Sequence, residues 1–233
     1  MHTGNFESVH MRTIAVTINK GGVGKTMLTK SVATAATAAG LNVLVLDMDT
    51  QQNATTWGRR RVKQHDKHLP LARYITENDL LEELQRAESA GCDLVIIDTP
   101  PGRNSEAPAA VESADLVLIP FWNDQDAYEG VAKTSVLVRR LGKSAIGVLN
   151  FVTPNSRSHE ETARVVLEAI PLTMCPVVLH RYDVHRVANI KGLTAQELEP
   201  GSTAADEITN LWNWLSAALQ LGTSADVHKG AAT

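Results

Sequence analysis

The chain has 233 residues, 43% of them hydrophobic and 21% charged, which is enough apolar material for one full core and excludes a mainly disordered polymer. A formal net charge of −4 excludes a protein that coats nucleic acid by bulk positive charge, though not one with a local basic patch. No apolar run approaches the roughly 20 residues that span a bilayer and no signal-peptide pattern opens the chain, so a cytoplasmic protein is expected.

Residues 1–10 carry no periodicity and read as a tail; the fold is expected to start at Met11. From there apolar runs of strand length alternate with helical patterns. RTIAVTI (12–18) precedes a helix over about 25–39 that stops at Gly40, and NVLVLDMD (42–49) follows. Next come a helix near 77–90, DLVIIDTP (93–100), an Ala-rich stretch near 105–113, DLVLIP (115–120), a helix near 126–141 and AIGVLNFV (145–152). Beyond Asn150 the pattern loosens into a helix near 158–169, CPVVL (175–179), a polar stretch to Glu199 and a last helix over about 202–221. Strands that are apolar at nearly every position are expected where helices cover both faces of a sheet. The prediction is therefore an α/β, three-layer, mostly parallel twisted sheet, in one domain over 11–221 with a second tail at 222–233. Cys92 and Cys175 lie beside strand-like runs and read as buried thiols, not as a disulfide framework or a zinc knuckle.

The stretch NKGGVGKTMLTK (19–30) follows a strand and opens a helix, the context a phosphate-binding P-loop requires. Gly21, Gly22, Val23 and Gly24 let the backbone turn tightly and aim N–H groups at phosphate oxygens, and the helix amino end through Met27 adds positive potential. Lys25 would reach the β- and γ-phosphates and the Thr26 hydroxyl would hold Mg²⁺. Asp47 and Asp49 stand at the end of the second strand, where ligands of such sheets collect. Two acids there make poor core and suit metal or water. Asp98 closes an almost wholly apolar strand and reads as the Walker B carboxylate, with TPPG (99–102) as a switch loop.

The ordinary P-loop pattern fails at its first glycine, and the failure resembles something specific. With lysine at position 20, KGGVGKT is similar to the deviant Walker A motif of the ParA/MinD superfamily of ATPases. The resemblance runs from about Arg12 to Leu215 and is nearest to the short ParA type, including a closing helix in EPGSTAADEITNLWNWL (199–215). It implies ATP and Mg²⁺ as cofactors, and a homodimer closed on ATP in which Lys20 reaches the partner's nucleotide. It implies further that Asp49 positions the attacking water, that Asp47 supports Mg²⁺ hydration and holds the loop, and that Asn150, with Pro176 on a second loop, meets the base. Thr50 and Gln52 stand where the family commonly has Pro and Gly.

The function implied is DNA partitioning: the dimer binds double-stranded DNA without sequence preference, associates with the nucleoid, and releases when a ParB-like centromere-binding activator triggers hydrolysis. Arg157, Arg164, Arg181, Arg186 and Lys191 are the candidate DNA contacts. The run WGRRRVK (57–63) is left open between a partner-facing, a DNA-facing and a plainly solvated position. Rival readings are a MinD-like membrane ATPase and a ParA-like positioner of another cellular cargo. The first would need a basic amphipathic closing helix, whereas LWNWLSAALQL contains no Lys or Arg and is expected to pack into the core, so no stable membrane association is expected.

Overall fold

The computed structural model describes residues 10–102, 105–154, 157–168, 170 and 172–221, and leaves the side chains of Arg157 and His159 undescribed. The two expected tails, apart from His10, fall outside these residues. The strands are β1 Arg12–Val16, β2 Val43–Asp47, β3 Leu71–Tyr74, β4 Leu94–Asp98, β5 Leu116–Phe121, β6 Ser144–Leu149 and β7 Thr173–Met174. Between and after them run α1 Lys25–Ala38, α2 Asn53–His65, α3 Leu80–Ser89, α4 Glu106–Ser113, α5 Gln125–Arg140, α6 Arg157–Glu168, α7 Asp183–Ile190, α8 Ala195–Leu198 and α9 Thr203–Ala218.

The seven strands form one sheet in the order β3-β2-β4-β1-β5-β6-β7, and every pairing is parallel. Successive side chains leave a strand on opposite faces. In β4, Leu94 and Ile96 enter one apolar layer with Leu28, Val32 and Leu211, while Val95 and Ile97 enter the other with Val111, Val131 and Leu167. Both faces are dry, so β2, β4 and β5 are buried at every position, as their unbroken apolar sequences require. Strand order reverses beside β1, which places the β1–α1 turn at the crevice where such sheets take ligands.

Helix α9 answers the question posed by its tryptophans. Ser202 caps it by accepting the Ala205 N–H, and Leu211, Trp212 and Leu215 are buried in the layer that also holds α1. Among the described residues no helix is long and apolar enough to cross a membrane.

Three local expectations change. The strand read over 175–179 is paired as β7 only at Thr173–Met174. Pro176 supplies no N–H, so the ladder lapses there, and Cys175 and Leu179 keep isolated bonds of 2.8 and 3.0 Å to the carbonyls of Gly147 and Leu149. The polar stretch before Glu199 contains α7 and α8. Cys175 is buried, whereas Cys92 is only half-buried; both are free thiols.

Candidate nucleotide site

Two glycines of the β1–α1 turn could not be replaced cheaply. Gly22 and Gly24 have φ of 78° and 90°, where an L side chain is strained. A Cβ on Gly24 would also lie 2.3 Å from Nδ2 of Asn150 and 2.9 Å from the Phe151 ring. Helix α1 begins at Lys25 without a side-chain cap, so the N–H groups of its first turn are free to meet whatever the loop encloses. Lys25 is 7% exposed and its ammonium donates to the Lys20 carbonyl at 3.1 Å. Burial lowers its pKa, while Asp98 and Asp49 act in the opposite direction.

Strands β2 and β4 end in register, with Asp47 opposite Asp98, yet these carboxylates have different surroundings. Asp47 is fully buried and both oxygens accept backbone N–H groups, from Asp49 at 3.2 Å and Thr55 at 2.9 Å. It thereby anchors the first turn of α2, a task that the side chain at the capping position, Gln52, does not perform. Burial raises the Asp47 pKa and those two N–H bonds lower it. Asp98 is also fully buried, but only Oδ1 has a partner, the Thr29 hydroxyl at 3.3 Å; among the described residues Oδ2 has none. Burial lifts the Asp98 carboxyl to about 7, with the Thr26 hydroxyl lowering it, Asp47 raising it further, and Lys30 and Lys25 opposing.

An orphaned carboxylate oxygen at the foot of a P-loop fits a hydrated Mg²⁺ held jointly with the Thr26 hydroxyl. Among the described residues no group of three or more His, Cys, Asp or Glu could hold a metal by itself. Asp49, 8% exposed, stands just past the strand end and accepts the Gln51 N–H at 2.9 Å. Its loop then passes through Gln52 at φ 52°, a left-handed conformation at the position where a glycine would be unstrained. Lys20 is held within its own chain: its ammonium donates to Asp126 at 2.7 Å, at the start of α5.

Beside the P-loop opens a cavity of about 930 Å³. Thr26, Met27, Lys30 and Ser31 line it from one stripe of α1, Trp122 and Phe151 from the ends of β5 and β6, and Arg181 and Arg186 from the segment around α7. Asn150 is not on this wall, and its side chain is fully buried. Pro176 is exposed and also absent from it. Of the candidate DNA contacts, Arg181 and Arg186 come together at this cavity, with Lys191 exposed just after α7. Arg164 is exposed on α6 and does not line the cavity, and the Arg157 side chain lies outside the described residues.

The basic run on α2 divides three ways. Arg59 is exposed, Arg60 donates to the Asn189 carbonyl at 2.7 Å, and Arg61 is 2% exposed beneath α8. There Arg61 forms a bidentate pair with Glu197 at 2.6 and 3.0 Å, donates to the Leu69 carbonyl, and lies 4.6 Å from the Trp57 ring centroid. Lys30 was not legible as special. It is 7% exposed, donates to Asn189 Oδ1 at 3.0 Å, and faces Trp57 at 5.9 Å. A second lysine, past the P-loop one, in an otherwise Ala, Val and Thr-rich α1 was the available signal.

Residues 14–196 match the family described as the CobQ/CobB/MinD/ParA nucleotide binding domain. The chain belongs to that family. It is 33% identical to maintenance of carboxysome distribution protein A of Gloeobacter kilaueensis over 80% of this chain and 85% of that one. It is also 33% identical to the chromosome-partitioning ATPase Soj of Thermus thermophilus, over 52% of this chain and 59% of that one. Among solved structures, the septum site-determining protein MinD with Mg-ADP from Pyrococcus horikoshii superposes with a TM-score of 0.74 over 90% of this chain and 97% of that chain, at 19% identity. At that identity the superposition establishes the shared fold.

Proposed function

We propose that this chain is a Mg²⁺-dependent ATP hydrolase of the positioning type, which uses an ATP-closed homodimer to place a cellular cargo. The observation that carries the reading is the buried Asp98 carboxylate, in register with Asp47, with one oxygen unpartnered beside Thr26 and Lys25. A buried acid oxygen without a partner, next to uncapped helix N–H groups, suits a site completed by a cation and phosphates. Mg²⁺, when bound, would neutralise phosphate charge and orient the phosphates. Lys25 exchanges the Lys20 carbonyl for phosphate oxygens. Asp49 orients water at the strand end, and Asp47 keeps that loop fixed to α2.

Lys20 reaches the partner's nucleotide only after leaving Asp126, so the in-chain ion pair is exchanged for an intermolecular one on closure. The likeness to a carboxysome distribution protein spans more of the chain than the likeness to Soj. That difference favours a positioner of another cellular cargo over a ParB-dependent DNA partitioner. Double-stranded DNA remains the track to test, because Arg181, Arg186 and Lys191 are exposed around α7 in an acidic chain, with Arg186 paired to Asp183 until a phosphate replaces that carboxylate.

Two variants test the site. Lys25→Ala should abolish ATP-driven dimerisation, measured by sedimentation, and an unchanged ATP affinity and dimer fraction refutes its role. Asp49→Ala should hold ATP in a trapped dimer; hydrolysis at the native rate rules that role out. DNA retardation without nucleotide, with ADP and with ATP, at two salt concentrations, tests the track. Binding only with ATP and weakening with salt supports it, and no binding in any state removes it.

A further inference from the structure

We propose that Glu207 is a positioning residue: from helix α9 it holds the segment that walls the nucleoside end of the cavity, acting through His180 and Tyr182. The proposal rests on the nucleotide reading above. Gly22 and Thr26 line the cavity at the P-loop, whereas Arg181, Tyr182, His185 and Arg186 line it on a second side with Phe151 and Trp122. Phosphates belong at the P-loop, which leaves the aromatic side for the nucleoside.

That side has little sheet to support it. Strand β7 ends at Met174, and farther on the chain is tied to the end of β6 by isolated bonds. The Val152 N–H donates to the Leu179 carbonyl at 3.2 Å and the Arg181 N–H to the Val152 carbonyl at 2.8 Å, which makes a parallel bridge between Val152 and His180. In such a bridge the residue whose two neighbours bond across the ladder turns its own N–H the other way. His180 therefore presents its N–H at the outer edge of the sheet, where no further strand receives it among the described residues.

Glu207 stands in for that strand. Its Oε2 accepts the His180 N–H at 2.9 Å, its Oε1 accepts from His180 Nδ1 at 2.6 Å, and the Tyr182 hydroxyl reaches the same oxygen at 3.4 Å. A carboxylate only accepts hydrogen bonds, so Nδ1 carries the ring proton. The His180 and Tyr182 rings lie 6.1 Å apart, centroid to centroid, above one carboxylate. The base of this arrangement is firm, because Ser202 caps α9 and Ile208, Leu211 and Leu215 are buried in the layer that also holds α1. Glu207 thus carries the fixity of the core to Tyr182, the residue from which α7 starts. Without it the His180 N–H loses its acceptor and the wall is released, while the P-loop, on β1 and α1, stays in place.

The test is calorimetric binding of ADP and of pyrophosphate, each with Mg²⁺, to the full chain and to its Glu207→Ala and Glu207→Gln variants. Pyrophosphate reads the P-loop alone, and ADP adds the nucleoside. In Glu207→Ala the ADP affinity should fall by about tenfold, with pyrophosphate affinity within about twofold of wild type. Glu207→Gln keeps the shape and one acceptor oxygen, so its ADP affinity should fall in the same direction but less. Unchanged ADP affinity, or losses by the same factor for both ligands, overturns the proposal; equal losses are what a general loosening of the fold would give. If the alanine variant does not fold, the glutamine variant decides by the same split. A wild-type chain that binds neither ligand defeats the nucleotide reading, and this proposal with it.

Discussion

Two groups of buried charge flank α2, and their carboxylates are satisfied to different degrees. Toward α8, Arg61 and Glu197 make two bonds to each other, Arg61 adds bonds to the Leu69 and Gly192 carbonyls and Lys67 joins at 2.8 Å, so that both carboxylate oxygens are engaged and Arg61 Nε alone in this set lacks a partner among the described residues. Toward the P-loop, Asp98 keeps an oxygen without a partner, and Lys25 rests on a single carbonyl. A charge satisfied within the chain stabilises the fold, whereas one left incomplete is a cost that a ligand removes. The comparison can be broken by substitution, since the first group should respond in stability and the second in binding.

The largest effect is expected from Arg61→Met. It leaves the Glu197 carboxylate with Lys67 as its one basic partner among the described residues, beside the Thr194 N–H and hydroxyl, and removing one partner of a buried pair costs about 3–5 kcal/mol. Urea unfolding at pH 7 measures it; a loss below about 1 kcal/mol would show that the pair is dispensable. The same pair gives the native chain an acid limb. Burial raises Glu197, but Arg61 and Lys67 together outweigh it and bring the carboxyl down to about 2. Its contribution is fully present above the unfolded value near 4.5 and disappears as pH falls toward 2, a slope the Arg61 variant should lack.

Lys30 comes next and lies between the two groups. Burial lowers its pKa to about 8, Asp98 opposes, Arg60 lowers it further, and Asp47 opposes again. Between about 8 and the ordinary 10.5 the unfolded chain binds a proton that the folded chain does not, so stability rises with pH across that window, by at most about 3 kcal/mol. Lys30→Met should remove the rise, as read from the difference between wild-type and variant melting curves at pH 7 and 10. Equal slopes in the two proteins would place the amine in solvent.

These contrasts separate what the sequence could show from what it could not. The P-loop, Asp49 and Asp98 were legible because each is a local pattern: a glycine turn before a helix, or an acid ending an apolar run. The parallel sheet was legible for the same reason, in strands without a polar face. Arg61 was not, because its partner Glu197 lies 136 positions away and the run RRR offers three equivalent candidates. Asn150 was found in sequence by its position at a strand end, but which way its amide turns depends on Val23, 127 positions distant. Helices α7 and α8 were hidden because they are short, eight and four residues, and their partners on α2 and α9 are distant in sequence.

A smaller effect is expected at Asp98, where the comparison reverses sign. Asp98→Asn removes a carboxylate that burial holds far from its solvated state, so the ligand-free chain should gain on the order of 1 kcal/mol. Hydrolysis of ATP should be lost in the same variant. A destabilised Asp98→Asn would instead show that the acid is structural, like Glu197.

The smallest effect tests whether strain is stored in the Asp49 loop. Gln52 occupies φ 52°, and its backbone is fixed from both directions, its N–H donating to the Asp49 carbonyl at 2.8 Å and its carbonyl accepting from Thr56 at 2.8 Å. A left-handed non-glycine residue costs roughly 1–2 kcal/mol. Gln52→Gly removes that strain but enlarges the unfolded ensemble, at about 0.4–1 kcal/mol. The net expectation is stabilisation between about 0 and about 1.6 kcal/mol, and Gln52→Ala, which keeps the strain, should change stability less. Thermal melts of the two variants decide between backbone and side chain. If glycine destabilises while alanine does not, the loop depends on the restricted backbone at position 52, and Asp49 is held by that stiffness as well as by its own hydrogen bonds.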